Sequence, residues 1–336
     1  MKRVVVVDDL CEAEIRPLED FDTYVQLLTA ENQDLLASSD TLKALGHCPA
    51  CGQRNLVPAF QRLGFQYVRC IGCRSLYVSP RPTAAALDAF YATSQAIAYW
   101  HQHVLAETAP SRMAHVLAPR LDWIVGSVTQ NGLAKGVFVD WHSKYPEFLS
   151  LVTRLNQFPT RLSVHPLGVI ESACRASGFD VVPRVTPGVA DVVVAMEVIE
   201  RASDLSELMG DLSQALQLGG LLFITTMAAS GFDIQILQAR APNLLPPTHL
   251  NLLSVEGIST WLQASGFQVL ELSTPGQLDV EMVVREAQKD PALILPDWVD
   301  DLVRRRESNL HRAFQDFLQQ ARLSSHLRLV ARKDTG

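Results

Sequence analysis

The sequence predicts an α/β fold, a doubly wound and mostly parallel seven-stranded sheet with a small N-terminal zinc ribbon. Three observations carry this expectation. From about residue 110, apolar segments of strand length alternate with amphipathic helical segments, the pattern of a sheet covered on both faces. The 336 residues, 48% hydrophobic and 19% charged, supply a full core and an appendage. Four of the six cysteines fall in two close pairs, Cys48 with Cys51 and Cys70 with Cys73.

Residues 1–46 read as a helical arm, because "DFDTYVQLLTAENQDLLA" keeps apolar residues at helical spacing. The arm is expected to pack on the ribbon or on a protein partner. The opening "MKRVVVVDDL" has four consecutive valines before two aspartates, too few for a secretory signal core. No apolar run reaches the length of about 18 residues that a membrane helix needs. A cytoplasmic protein without a membrane partner is therefore expected. The net charge of −7 argues against nucleic acid as a partner, since phosphate backbones are held by basic surfaces.

Residues 47–80 form the ribbon. Two Cys-x-x-Cys turns separated by eighteen residues place four thiolates in a tetrahedron, the closed geometry of a structural zinc site. Four cysteines leave no open position for water, so a catalytic zinc is not expected. Loss of one ligand should unfold the ribbon and spare the sheet. Cys11 and Cys174 read as buried small residues.

Residues 81–120 are expected as a helical linker and 121–336 as the α/β domain. Strands are expected at 137–140, 161–165, 180–184, 191–196, 220–226, 267–272 and 325–332. Between the last two, residues 275–322 read as an irregular loop and one long helix. Arg304, Arg305 and Arg306 lie there among acids and read as a solvated face.

The strand ends carry the candidate chemistry. "GVFVDWHSKYPEFL" ends its strand at Asp140 and turns into a helix without a glycine, through Trp141, His142, Ser143, Lys144, Tyr145 and Pro146. "RLSVHPLG" ends its strand at His165. In "EVIERASD", Glu197 and Glu200 share a face if the turn is helical; the alternative is that they solvate a strand end. His249, in "PPTHLN", is the candidate general base, since an imidazole titrates near neutral pH. Alternatively it fixes its own loop. Asn251 and the loop Ser273 to Asp279 would complete the acceptor side, with Tyr99 and Trp100 as an aromatic wall. No Walker loop, Gly-x-Ser-x-Gly elbow or His-Glu-x-x-His is present.

The order of ribbon, "SLYVSPRPTAAALDAFYATSQAIAYW" and seven strands, with "DVVVAMEVIERASDLSELM", "LGGLLFITT" and "PPTHLNLLSVEGISTWLQASGF", resembles class I S-adenosylmethionine-dependent methyltransferases with an N-terminal zinc ribbon. The resemblance implies the Rossmann-like fold of that class, S-adenosylmethionine as cofactor and a sugar or other small-molecule acceptor. It places Asp140, His142, His165 and Glu197 at the cofactor, and Glu200 and His249 at the chemistry. The family has a glycine-rich turn where this chain has Trp141 to Pro146, and an acid where it has His165. Side chains and a proline there fill the cradle, so weak cofactor binding or none is expected. The alternative function is a catalytically degenerate homologue acting as a binding or scaffold subunit.

Overall fold

A computed structural model describes residues 10–37, 39–133, 135–142, 144–165 and 168–334. Seven strands form one sheet in the order Phe267–Ser273, His326–Lys333, Leu216–Met227, Ala190–Met196, Val137–Trp141, Thr160–Val164 and Asp180–Val182. All run parallel except His326–Lys333, which pairs antiparallel with both neighbours. This is the doubly wound, mostly parallel arrangement expected, and every expected strand is present.

Burial explains the central strands. Val192 to Ala195 and Leu221 to Ile224 are covered on both faces, as a parallel sheet between helix layers requires. The chain leaves Val137–Trp141 to one side and returns on the other with Ala190–Met196. A crevice opens at that reversal, beyond the carboxyl ends of the strands. The helix Leu205–Ala215 leaves it under an Asp204 cap, whose Oδ1 accepts from Ser206 N at 2.8 Å and Glu207 N at 3.2 Å.

The ribbon strands Leu56–Arg62, Phe65–Cys70 and Leu76–Val78 are joined by a fourth from the α/β domain, Asn251–Leu252. Asn251 pairs with Tyr77 and Leu252 with Leu76. The following helix, Val255–Ala264, presses directly on the ribbon. A Cβ on its Gly257 would lie 2.2 Å from Ser75 Oγ and 3.4 Å from Cys73 Sγ, so only glycine permits this approach. Cys48, Cys70, Cys73 and Tyr77 share one core with Leu253 and Ile258.

Two segments differ from expectation. Residues 275–322 hold three helices, Asp279–Lys289, Asp297–Arg305 and Ser308–Ala321. The expected long helix breaks where Arg306 and Glu307 become extended, which lets Val299 and Leu318 turn into the same core. Part of the expected loop is instead the amphipathic helix that buries Val280, Val283 and Ala287. Cys11 is exposed rather than buried, whereas Cys174 is buried as expected.

The N-terminal arm consists of Glu12–Ile15 and Leu18–Leu36. Phe21, Tyr24 and Leu28 pack against Phe90, Ile97 and Leu245, so the arm covers the helical segment that follows the ribbon. Glu12 is 2% exposed and pairs with both Arg16 and Arg285. The expected arm and linker thus meet above the sheet. Residues 1–9 of the expected arm lie outside the described residues.

Candidate functional site

A cavity of about 340 Å³ lies above the carboxyl ends of Ala190–Met196 and Leu216–Met227. Its roof is Ile15, Arg16 and Tyr24 of the arm; Pro275 to Asp279 and His249 close one side. Trp100–Leu105 and Met113–Leu117 are wide π-helical turns, a local irregularity that recurs at functional sites. They bring Trp100, His101 and His115 to the wall.

Glu197 anchors the floor at φ +54°. Its Oε1 accepts from Arg120 Nη2 at 2.9 Å, and its Oε2 accepts from Tyr145 Oη at 2.8 Å and pairs with Lys144. Burial alone would raise its pKa, but Lys144 and then Arg120 hold the carboxyl well below the usual range. Glu200 goes the other way. Burial first, and then the Glu197 charge, push it up to about 7. Its Oε1 accepts from Met227 N at 2.8 Å, while Oε2 is buried without a hydrogen-bond partner among the described residues.

Three further groups on this cavity are in the same condition. Arg201 donates through Nη2 to the His142 carbonyl, but its Nε has no partner among the described residues, nor do Thr225 Oγ1 and Tyr91 Oη. Buried polar atoms are otherwise nearly always hydrogen-bonded. Four residues lining this one cavity carry such a group.

The general-base role expected of His249 does not fit its geometry. Its Nδ1 accepts from Leu245 N at 3.2 Å, so the neutral ring carries its proton on Nε2 and can donate there. Burial, and then Lys144, lower its pKa to about 4. His101, also lowered to about 4 by burial, Lys144 and Arg201, is neutral for the same reasons.

The structure therefore brings Glu197, Glu200 and His249 to one cavity. Asp140, His142 and His165 are not among its lining residues. Asp140 is buried in the strand end, and the His142 and His165 rings stack on each other at 5.6 Å, both residues at positive φ. Trp141 points into the core shared with the ribbon, while Lys144 and Tyr145 turn to Glu197. Ser143 lies outside the described residues. Asn251 also departs from expectation. It holds the Ile199 and Ala202 carbonyls at 2.9 and 2.8 Å and fixes the loop from behind. Trp100 lines the cavity, whereas Tyr99 stacks on His103 and bonds Asp20 at 2.8 Å.

Arg112, Arg120, Arg201, Thr225 and Tyr91 were not singled out by the sequence. Thr225 carried one local signal, a hydroxyl at the end of an apolar strand. Arg112 and Arg120 reach the cavity only through the tertiary fold.

At the ribbon, the sulfurs of Cys48, Cys51, Cys70 and Cys73 all lie within 4.8 Å of one another. The Cys48–Cys73 and Cys51–Cys70 separations are both 3.6 Å, near the tetrahedral edge of about 3.8 Å that a Zn–S distance near 2.3 Å gives. Cys73 Sγ also lies 3.2 Å from Ser75 Oγ. The four thiols can hold one metal ion.

Residues 175–272 match the family model of a methyltransferase domain. The α/β domain is methyltransferase-like. The matched segment contains Glu197, Glu200, Arg201, Thr225 and His249. Among solved structures, the methyltransferase-like chain resembles a SAM-dependent methyltransferase from Archaeoglobus fulgidus at 14% identity and TM-score 0.43, over 65% of this chain and 93% of that one. It also resembles a geranyl diphosphate C-methyltransferase from Streptomyces coelicolor at 12% identity and TM-score 0.43, over 69% and 83%. No curated protein sequence matches the chain.

Proposed function

We propose that this methyltransferase-like protein binds a small molecule in the strand-end cavity, and that S-adenosylmethionine does not take its usual seat there. The observation that carries the reading is the set of four partnerless polar groups, Tyr91, Glu200, Arg201 and Thr225, on one cavity. A ligand would satisfy them. Glu200, poised near neutral pH, is the residue able to hold or release a proton at the ligand. His249 would position the ligand by donating from Nε2. Cys48, Cys51, Cys70 and Cys73 are proposed to bind one structural zinc.

The residues present do not fit the cofactor. Its methionine end carries a carboxylate beside an ammonium and a sulfonium, and the two positive groups favour nearby carboxylate. Here Glu197 is already paired with Lys144 and Arg120. The seat of the ribose hydroxyls has no acid, since His165 stacks on His142 instead. His142 itself is pushed down to about 3 by burial and by Arg201, so that turn also disfavours positive charge.

A second reading, S-adenosylmethionine-dependent transfer to a small acceptor, is supported by the domain match over 175–272. Calorimetry with S-adenosylhomocysteine and S-adenosylmethionine separates the two. We expect no binding below about 1 mM. A micromolar dissociation constant, weakened by Asp140→Ala, would establish the second reading and overturn the first.

A further inference from the structure

We infer that the ligand of this cavity is an organic anion, an apolar body carrying a carboxylate or phosphate group whose oxygens are held by Arg201, Thr225 and Tyr91. The inference rests on the proposed reading that the cavity binds a small molecule, and adds its chemical class.

The first argument is the donor inventory. Arg201 Nε can only donate, the Thr225 and Tyr91 hydroxyls can donate, and His249 is in the tautomer that donates. A protonated Glu200 donates as well. Such a wall requires acceptor oxygens, which a carboxylate or phosphate supplies in greatest number.

The second argument is charge. Arg16, Arg112, Arg120, Lys144, Arg201 and Arg328 line the cavity with Glu197, Glu200 and Asp279 as the acids among its lining residues; Arg16 is paired with Glu12, and Arg328 lies 3.9 Å from Glu271. Glu197 is shared between two of those cations, and Asp279 accepts from Ser324 Oγ and Ser325 N at 2.6 Å each. Arg112 donates to Thr108 Oγ1 at 2.9 Å and to the Ile15 carbonyl. Neither Arg112 nor Arg201 has a carboxylate partner among the described residues. An anion balances them, whereas a cation would be repelled.

The third argument is shape. Ile97, Trp100, Leu245, Leu278 and Met282 line the same space, and the volume is at the lower end of small-molecule pockets. An apolar body fits beside a charged head.

The test uses the full chain and three matched series: benzoate, 2-naphthoate and phenyl phosphate; the corresponding neutral carboxamides; and benzylamine with its naphthyl analogue. Binding is read by calorimetry and by the shift in melting temperature. Anions should bind at least about tenfold more tightly than the amides, and amines should not bind. The carboxylate and phosphate arms identify which head group is preferred. Thr225→Val should leave the free protein as stable or more stable, because it deletes a buried orphan hydroxyl, yet weaken the anions. Arg201→Met should weaken them by about tenfold or more, with Arg201→Lys intermediate. If Arg201→Met does not fold, Thr225→Val carries the test, because the hydroxyl has no hydrogen-bond partner among the described residues. Amides or amines binding as well as anions would overturn the inference and leave the cavity reading standing. No anion binding would overturn it too; if S-adenosylhomocysteine then bound at micromolar concentration, the cavity reading would fall with it.

Discussion

Glu197 and Glu200 are three residues apart on one turn, and what faces each decides its charge. Burial disfavours the charge on both, but Lys144 and Arg120 hold Glu197 ionised, whereas burial and then the Glu197 charge raise Glu200 to about 7 against the smaller opposing effects of Lys144 and the Met227 amide. The unfolded carboxyl titrates near 4.5. Between those values the unfolded chain releases a proton that the folded chain keeps, so rising pH favours unfolding. Glu200 therefore contributes stability that is complete below about pH 4.5 and lost as pH rises through about 7. At about 1.4 kcal/mol per pH unit of separation, the loss is about 3.5 kcal/mol. Glu200→Gln should remove this part of the decline between about pH 5 and pH 8, measured by urea unfolding across the range. Parallel pH profiles for the two proteins would show that Glu200 does not titrate there. The sequence showed both acids but not their opposite states, because Lys144 and Arg120 lie 53 and 77 residues before Glu197 in the chain.

At the scale of elements, the ribbon was legible and its attachment was not. Four cysteines in two tight turns leave a local signature. A two-residue strand such as Asn251–Leu252, paired with Leu76 and Tyr77, leaves no periodic trace. The seven strands were visible because each is a continuous apolar run, while the break at Arg306 depends on where Val299 and Leu318 must both point. The shared core changes what metal loss should do. Tyr67 Oη bonds the His249 carbonyl at 2.5 Å and Val78 N bonds the Leu250 carbonyl at 2.8 Å, so the ribbon holds one wall of the cavity. Cys70→Ser should release the proposed zinc, measured by elemental analysis, and lower the melting temperature by at least about 5 °C. Hydrogen exchange should accelerate at Val78 and Ala229, whose amide bonds the Leu253 carbonyl, and not only within the knuckles. Exchange confined to the knuckles would restore the picture of an independent module. Wild-type protein without zinc would remove the metal assignment.

Over the whole molecule, the cavity exists because distant segments close on it: the arm above, the two π-helical turns at one side, the strand ends below and the Pro275 to Asp279 loop opposite. None of these carries a motif for the enclosure, so the sequence revealed the sheet and its strand ends but not the roof. The roof depends on Glu12. Its carboxylate, 2% exposed, binds Arg16 within the arm and Arg285 on the helix Asp279–Lys289, joining the two sides of the cavity. Burial by itself would raise its pKa, but Arg16 and Arg285 together bring it below the ordinary value. Glu12→Gln would leave the buried Arg16 guanidinium without its carboxylate, facing Arg285, which keeps only Glu286 at 3.5 Å, and a buried ion pair that loses one partner costs about 3–5 kcal/mol. The first part of the arm can open without the seven-stranded sheet unfolding, because Phe21, Tyr24 and Leu28 pack on Phe90, Ile97 and Leu245 and not on the strands of that sheet. That cost should therefore appear as local opening. Hydrogen exchange at Arg16, whose amide donates to the Glu12 carbonyl at 2.8 Å, should accelerate by about a hundredfold or more in the variant, while exchange within Ala190–Met196 changes little. Replacing all three charged groups with apolar residues, Glu12→Leu, Arg16→Met and Arg285→Met, should recover much of the protection, since desolvated charge and not lost volume causes the opening. Equal acceleration in arm and sheet would show that Glu12 supports the whole fold rather than its roof.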